Sequence, residues 1–433
     1  MSVSDQDVSA SEPPEPPGQA NVAQGSTAKH PADSRYARKQ LAIIAAASEI
    51  LNRDGIKGMT LANVASRVGL ITTSVTYYFR KKEDLAVACF LDAIARVDAL
   101  VVDALRESDP PLRIQRLLKS WLDLSQRVSA GEEPPVAFFG DMRTLQKPQR
   151  TIVGDAYRRF FANLCALFES PEYSWMDATQ RAARAHILSE QVLWGAIWLR
   201  RFDLDDYDRV RQRMHDILVH GLAGSGRQWR RIEVALDDML EGTTQESAAR
   251  ETFLIAATRL INERGYRGAS VEKISERLNV TKGSFYYHHD AKDDLVVACF
   301  NRSFDAMRRI QRAVLAKCED EWEQLLTLAA ALLAYQMSER GPLLRTSALV
   351  ALPMPMRQEM IEAYSRISNR FAGVIADGIA TGSVRAVDPL IAAQMLAATL
   401  NASAEYRWWV PGATAEQADE LYAKPLLLGL FAR

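Results

Sequence analysis

Cysteine is scarce: Cys89, Cys165, Cys299 and Cys318 are the only four, with no Cys-x-x-Cys and no Cys/His spacing of a zinc site. That argues against a disulfide scaffold or a structural metal module and for a reducing, cytoplasmic setting. No run of about 18 apolar residues is present, so no membrane span is expected. The first residues lack a basic stretch leading into an apolar one, so no secretory leader is expected either. Charge of either sign is also missing in excess: 53 Lys+Arg against 54 Asp+Glu leave a net −1. A chain that neutral is not a nucleic-acid binder as a whole, and any such surface must come from local clustering. There is no Gly-x-Ser-x-Gly elbow, P-loop, dinucleotide fingerprint or metal-ligand cluster, which leaves an enzyme reading without support and calls for no cofactor or metal.

What is present fits a soluble globular protein of two or three domains: 433 residues, 48% apolar and 25% charged. Residues 1–34 hold Pro13, Pro14, Pro16, Pro17 and Pro31 and almost no large apolar side chains. Such a segment cannot offset its ordering entropy, so a disordered tail is expected. Arg35, Arg38 and Lys39 at its end read either as a solvated helix start or as an arm touching DNA.

The rest of the chain is organised by a repeat. Leu41, Ile44, Ala47, Ile50 and Leu51 follow helical spacing and Gly55 stops that helix; Thr60 caps a second, with Leu61, Val64, Ala65 and Val68 on one face. Gly69 ends it, residues 71–79 form a third short helix, and Lys82-Glu83-Asp84-Leu85 begins a fourth. The same plan recurs 210 positions later. Phe253, Ala257, Leu260 and Ile261 lead to Gly265, Ser270 caps the next helix, and Asn279 replaces Gly69. Identities at this offset include Asn52/Asn262, Gly55/Gly265, Gly58/Gly268, Ser74/Ser284, Tyr77/Tyr287 and Lys82/Lys292, and end in Val87-Ala88-Cys89-Phe90 against Val297-Ala298-Cys299-Phe300. An ungapped match of some fifty positions marks a duplication.

Each repeat is followed by helical patterns broken at prolines and glycines. The apolar stretches 182–202 and 392–410 carry Trp198 and Trp408 at the repeat offset, and each precedes a further helix, 207–222 in one half and 414–430 in the other. The expected division is a tail 1–34, a first helix-turn-helix domain 35–90, a helical domain 91–224, a linker 225–246, a second helix-turn-helix domain 247–300 and a second helical domain 301–433.

The run Val280-Thr281-Lys282-Gly283-Ser284-Phe285-Tyr286-Tyr287-His288, followed by Lys292-Asp293-Asp294-Leu295, resembles the DNA-binding segment of the tetracycline-repressor (TetR) family of bacterial transcription regulators. The first copy matches through Gly69, Ser74, Tyr77, Phe79 and Lys82-Glu83-Asp84-Leu85. The resemblance implies an all-α fold with two TetR-like units. Each would have an N-terminal three-helix DNA-binding domain and a larger domain for ligand binding and dimerisation. Fused in one chain, the two units would close as a pseudo-two-fold intramolecular dimer, a monomer in preference to a homodimer, through a bundle of 182–202, 392–410 and the helix after each. It implies a bacterial, nucleoid-associated regulator: a repressor released from a double-stranded operator by a small hydrophobic effector. The residues leave another reading open, a helical ligand-sensing or protein-interaction module with one or both heads inactive on DNA.

In a helix-turn-helix the second of the two helices enters the major groove. The first-head candidates for base and phosphate contact are therefore Thr60, Thr72, Thr73, Ser74, Thr76, Tyr77 and Lys82. The second-head candidates are Ser270, Thr281, Lys282, Gly283, Ser284, Tyr286, Tyr287, His288 and Lys292. Tyr78, Phe79 and Phe285 read as core aromatics, and Ile71 stands where a Ser or Thr cap is expected. The heads differ in charge, with nine Lys+Arg against four Asp+Glu over 35–90 and eight against seven over 247–300. They are expected to read different half-sites. For an effector pocket the candidates are Trp121, Phe138, Phe139, Met142, Phe161 and Trp175 in the first half. In the second they are Trp322, Tyr335, Met337, Met354, Met356 and Met360, giving a lining expected to be apolar with few charges.

Overall fold

The structure, a computed structural model, describes residues 31–230, 232–240, 245–269, 271–278, 292–410 and 412–433. The described residues are helical throughout, and the one β-bridge among them joins Ala223 to Val384. The described residues fall into two units, one ending at Leu41 and the other spanning Ala42–Arg433. Helix α1 (Pro31–Gly58) begins within the stretch expected to be a tail, and Arg35, Arg38 and Lys39 are exposed helical residues rather than an extended arm.

In the first head α1 breaks at Gly55, where φ is 62°, and α2 (Leu61–Arg67) and α3 (Thr72–Tyr78) follow. Ile43, Ala47, Ile50, Val64, Val75 and Leu85 are buried together, so the apolar face of each short helix supplies the domain's core. The second head repeats these devices. Helix α10 (Gln245–Gly268) breaks at Gly265 with φ of 70°, and α11 (Val271–Leu278) comes next. The buried Cys89 thiol donates to the Ile44 carbonyl at 3.7 Å, and the Cys299 thiol donates to the Leu254 carbonyl at 3.8 Å. Burial raises both thiols to about 12, which makes them packing groups rather than reactive ones.

The first helical domain consists of α4 (Lys82–Ala104), α5 (Pro110–Ser129), α6 (Gln149–Ala166), α7 (Ala178–Trp198) and α8 (Tyr207–His220). The linker carries a one-turn helix, α9 (Leu236–Leu240). The second helical domain has α12 (Lys292–Lys317), α13 (Glu321–Met337), α14 (Met354–Thr381) and α15 (Pro389–Ala402). It then departs from the expected plan. Apolar stretch 392–410 is not one helix: α15 stops at Ala402, a 3₁₀ turn spans Ser403–Glu405, and α16 (Tyr406–Trp409) follows. The final helix expected over 414–430 is present as an uninterrupted helical run over 415–428, which opens with a 3₁₀ turn and passes through a π-turn at Asp419–Ala423 into α17 (Lys424–Leu428). Pro425 accounts for the π-turn, since it has no N–H to donate and its ring crowds the preceding turn of a regular α-helix.

The two halves close on each other in one four-part bundle. Helix α7 packs on α15 and on the π-turn, and α8 packs on α15 and α17. Gln191 on α7 donates to the Met395 carbonyl at 2.9 Å and to Thr399 Oγ1 at 2.8 Å on α15. The seal is a backbone crossing at the ends of the two last helices. Leu222 N–H donates to Leu427 O and Leu430 N–H to Leu218 O, both at 2.7 Å. Gly221 (φ 67°) and Gly429 (φ 100°) lie at this crossing. A Cβ on Gly221 would sit 2.3 Å from the Leu428 carbonyl carbon, and one on Gly429 would sit 2.2 Å from Val219 O. The buried Arg184 fastens the C-terminus from beside it, its Nε donating to Leu430 O at 2.6 Å and its Nη2 to Ala432 O at 3.2 Å.

Replacing either crossing glycine combines backbone strain with a main-chain clash. G221A and G429A should each lose roughly 3 kcal/mol or more in denaturant unfolding. G226A is the control, because Gly226 also has positive φ (77°) but faces open space, and it should lose only about 1–2 kcal/mol. Equal losses for all three variants would show that the crossing does not matter.

Candidate nucleic-acid interface and the cavity behind it

Thr60 caps α2, its Oγ1 accepting from Asn63 N at 3.1 Å, and it is exposed. Gly69, at φ 67°, reverses the chain into α3 with open space around it. Ile71 occupies the cap position of α3 without a side-chain bond and is 71% exposed. On α3 only Val75 is buried. Thr72, Thr73, Thr76 and Tyr77 are exposed, Ser74 is half-buried, and Thr76 Oγ1 donates to Thr72 O at 2.9 Å. Tyr77 is 76% exposed and meets Tyr78 edge to face at 5.3 Å, while Tyr78 and Phe79 pack against the core. The first head therefore presents a hydroxyl-rich face with one projecting aromatic, the side-chain types that bond phosphate oxygens and base edges. Lys82 begins α4, half-buried.

Of the second-head candidates, Ser270, Thr281, Lys282, Gly283, Ser284, Tyr286, Tyr287 and His288 lie outside the described residues. Lys292 is described, and its ammonium sits over the Tyr266 ring, 4.4 Å from the centroid.

Behind the heads lies a cavity of 540 Å³ that neither half could form alone. The first helix of each head contributes, through Leu51 and Asn52 in one and Ile261, Asn262 and Tyr266 in the other. Each asparagine also holds a strap of the helical domain. Asn52 donates to Val136 O and accepts from Phe138 N, while Asn262 donates to Leu343 O and accepts from Arg345 N, all within 2.8–3.1 Å. Conserving both amide atoms at the repeat offset therefore has a mechanical meaning: the head is tied to the cavity wall.

The lining departs from the apolar expectation. Four charges converge at the junction, Arg143 and Glu190 from the first half and Arg345 and Glu405 from the second. Arg143 pairs with Glu405; Arg345 pairs with the same oxygen at 2.5 Å and reaches Glu190 at 3.6 Å. Burial pushes the Glu405 carboxyl up, but Arg345 and Arg143 outweigh it and hold it at about 2. Glu190, with only longer contacts to Arg345 at 3.6 Å and His186 at 3.9 Å, is driven upward by burial. Arg143 also donates to the Asn262 carbonyl at 2.8 Å, so a first-half side chain is fastened to the second head. The 3₁₀ turn at Ser403–Glu405 is what brings Glu405 to this point.

Among the effector candidates, Phe138, Phe139 and Met142 line the cavity. Phe161 stands behind it, 5.2 Å from the Trp409 ring. Trp121 is core, and Trp175 lies under the Arg184 guanidinium. None of the second-half candidates lines it: Trp322, Tyr335 and Met360 are buried core, Met337 and Met356 are half-buried, and Met354 is an exposed surface residue. The lining residues missed by sequence reasoning, Tyr157, Trp408, Trp409 and the four charges, come from segments far apart in the chain.

His186 adjoins the charge cluster, fully buried, its Nδ1 2.7 Å from the Tyr422 hydroxyl. Burial lowers its pKa from the ordinary 6.5 to about 3, with Arg345 and Arg143 adding to the effect and Glu405 opposing it. The folded protein therefore keeps it neutral where the unfolded chain protonates it. Stability from this group is intact above pH 6.5 and is lost as pH falls from 6.5 toward 3, by about 1.4 kcal/mol per unit at most. H186Q should remove that part of the slope in unfolding measured from pH 7.5 to 4.5. Parallel wild-type and variant curves would contradict the assignment.

The family described as bacterial regulatory proteins, tetR family, matches residues 43–89 and 253–299, and a tetracyclin repressor-like C-terminal domain matches 318–430. The chain is similar to the HTH-type transcriptional regulator BetI of Serratia proteamaculans, 29% identical over 169 residues that cover 38% of this chain and 79% of BetI. It is also similar to the biofilm operon icaADBC HTH-type negative transcriptional regulator IcaR of Staphylococcus epidermidis, 39% identical over 57 residues, 12% of this chain and 31% of IcaR. Among solved structures, AibR in complex with isovaleryl coenzyme A and operator DNA aligns at 23% identity with a TM-score of 0.34, covering 41% of this chain and 96% of AibR. With tetR-family DNA-binding domains at both heads and a repressor-like C-terminal domain in its second half, the chain belongs to the TetR family as a tandem duplication, a DNA-binding transcription regulator and not an enzyme.

Proposed function

We propose that the chain is a repressor whose two unlike heads read an operator of two unlike half-sites, and that a small ligand releases it. The observation that carries this is the difference between the recognition faces. The first head exposes Thr72, Thr73, Thr76 and Tyr77, where the second has Lys282, Gly283, Tyr286 and Tyr287 in sequence. In this reading these residues, with Ser74, Ser284 and Thr281, contact bases and phosphates, and Thr60, Lys82, Ser270, His288 and Lys292 flank them. A homodimer's symmetry imposes a palindromic operator, because both heads are the same surface. A fused pair is free of that constraint. The halves here have diverged in the helices that join them, with α8 regular and its counterpart carrying a π-turn ahead of Pro425. A ligand in a cavity that touches the first helix of both heads would favour a head spacing that no longer matches successive major grooves.

Selection of bound sequences from random DNA tests this directly. Two different half-sites at a fixed spacing are expected, and two identical inverted half-sites would sink the asymmetric reading. The chain is also proposed to act as a monomer, since its two halves already supply both sides of the bundle. Light scattering on the free protein should give a mass near 48.3 kDa; twice that value would mean a dimer with four heads.

A further inference from the structure

The junction cavity is not mirrored across the two halves. Its first-half wall is α6 with the 3₁₀ turn at Phe139–Thr144, and the second half adds α16, with Trp408 and Trp409. The repeat partner of Trp408 is Trp198, and the two have opposite fates: Trp198 is 2% exposed, whereas Trp408 is 65% exposed among the lining residues. A symmetry-related site would lack this aromatic rim. The aromatic groups there form a contiguous cluster, with Tyr157 tilted against Trp409 at 4.8 Å and edge to face with Phe139 at 5.6 Å. Flat rings facing such a cluster gain offset and edge contacts beyond the burial of their area.

The charges sort into two groups. Inside, Arg143 and Arg345 are matched by Glu405 and Glu190. Of the remaining charged lining residues, Arg158 is paired with Asp155 and Glu263 with Arg277. Lys147 and Arg150 are exposed and make no ion pair among the described residues. The lining thus offers two uncommitted cations, one on each side of the start of α6, and no uncommitted anion.

Given the ligand-released reading above, on which this rests, we propose that the cavity is a single effector site per chain, shared by both halves. It takes one flat aromatic molecule that ends in a carboxylate or phosphate. The aromatic body lies against Trp408, Trp409, Tyr157 and Phe139, and the anionic end meets Lys147 and Arg150. Occupancy reaches both heads at once, because Asn52 and Asn262 line the same cavity and tie it to both straps. In a symmetric dimer with a pocket in each subunit, two ligands would be needed for the same result.

Calorimetric titration of the full chain with 2-naphthoate, 2-naphthyl phosphate and the neutral 2-naphthamide tests each part. One molecule bound per chain is expected. At least one anion should bind about tenfold or more tighter than the amide at low salt, with the advantage shrinking as salt is raised. The K147A/R150A double variant should erase that advantage and leave amide binding within about twofold. W408A should weaken all three probes by roughly tenfold. All of these side chains are exposed, and unchanged thermal midpoints will show that the variants are folded. The two anion arms separate carboxylate from phosphate preference. Two molecules per chain, equal binding of amide and anions, or no binding of any probe at millimolar concentration would each overturn the proposal. DNA selection without ligand is scored separately: a chain that selects an operator but binds no probe loses only this site, while one that binds an anion but selects no DNA loses the regulator reading instead.

Discussion

The backbone crossing of Gly221 and Gly429 is the constraint on which the rest of the molecule rests. Only residues without a Cβ let the ends of α8 and α17 come into main-chain contact, with each strand's N–H donated to the other. That closeness lets α7 lie along α15. With α7 and α15 in place, Arg143 meets Glu405, and Arg345 reaches Glu190, from opposite halves of the chain. Buried ion pairs of this kind add little net stability, because desolvation offsets most of the attraction. Losing one partner is expensive, however, so the four charges penalise any other register of the two halves.

The closure also gives meaning to the repeat. A homodimer forms its bundle, its pockets and its head spacing twice over from identical parts. Here the same devices serve both heads where geometry demands it: the glycine break after the first helix, the cysteine packed on a carbonyl, and the asparagine that clamps a strap. Where the halves meet each other, the copies differ. Trp198 is core and Trp408 is surface, and one terminal helix is regular while the other carries a π-turn. Such differences at the interface are tolerated because a fused pair needs one complementary contact, whereas a homodimer needs a self-complementary one.

Much of the fold was legible before any coordinates. The short helices of the heads have clear apolar faces, capping residues and glycine stops, and the duplication makes each reading twice. Ile71 as an uncapped start, Gly55 and Gly265 as breaks, and Phe79 as core all follow from local chemistry. The terminal helix was legible as a helix, but its π-turn was not anticipated, although Pro425 is the local signal for it. The effector residues were harder. Trp121, Trp322 and Met360 stand at helical spacing on apolar faces, as any core residue does, and nothing in their neighbourhood distinguishes lining from filling.

The amino-acid sequence by itself determined the all-helical class and the two heads. These depend on residues within a few turns of one another, so periodicity and spacing suffice. The tertiary structure alone decided that Glu405 faces Arg143, that Trp408 is left at the rim while Trp198 is buried, and that one cavity touches both heads. These pairings join segments more than two hundred residues apart, across an interface whose register is set by a glycine crossing and a buried charge match. No local pattern encodes which distant surface a side chain will meet.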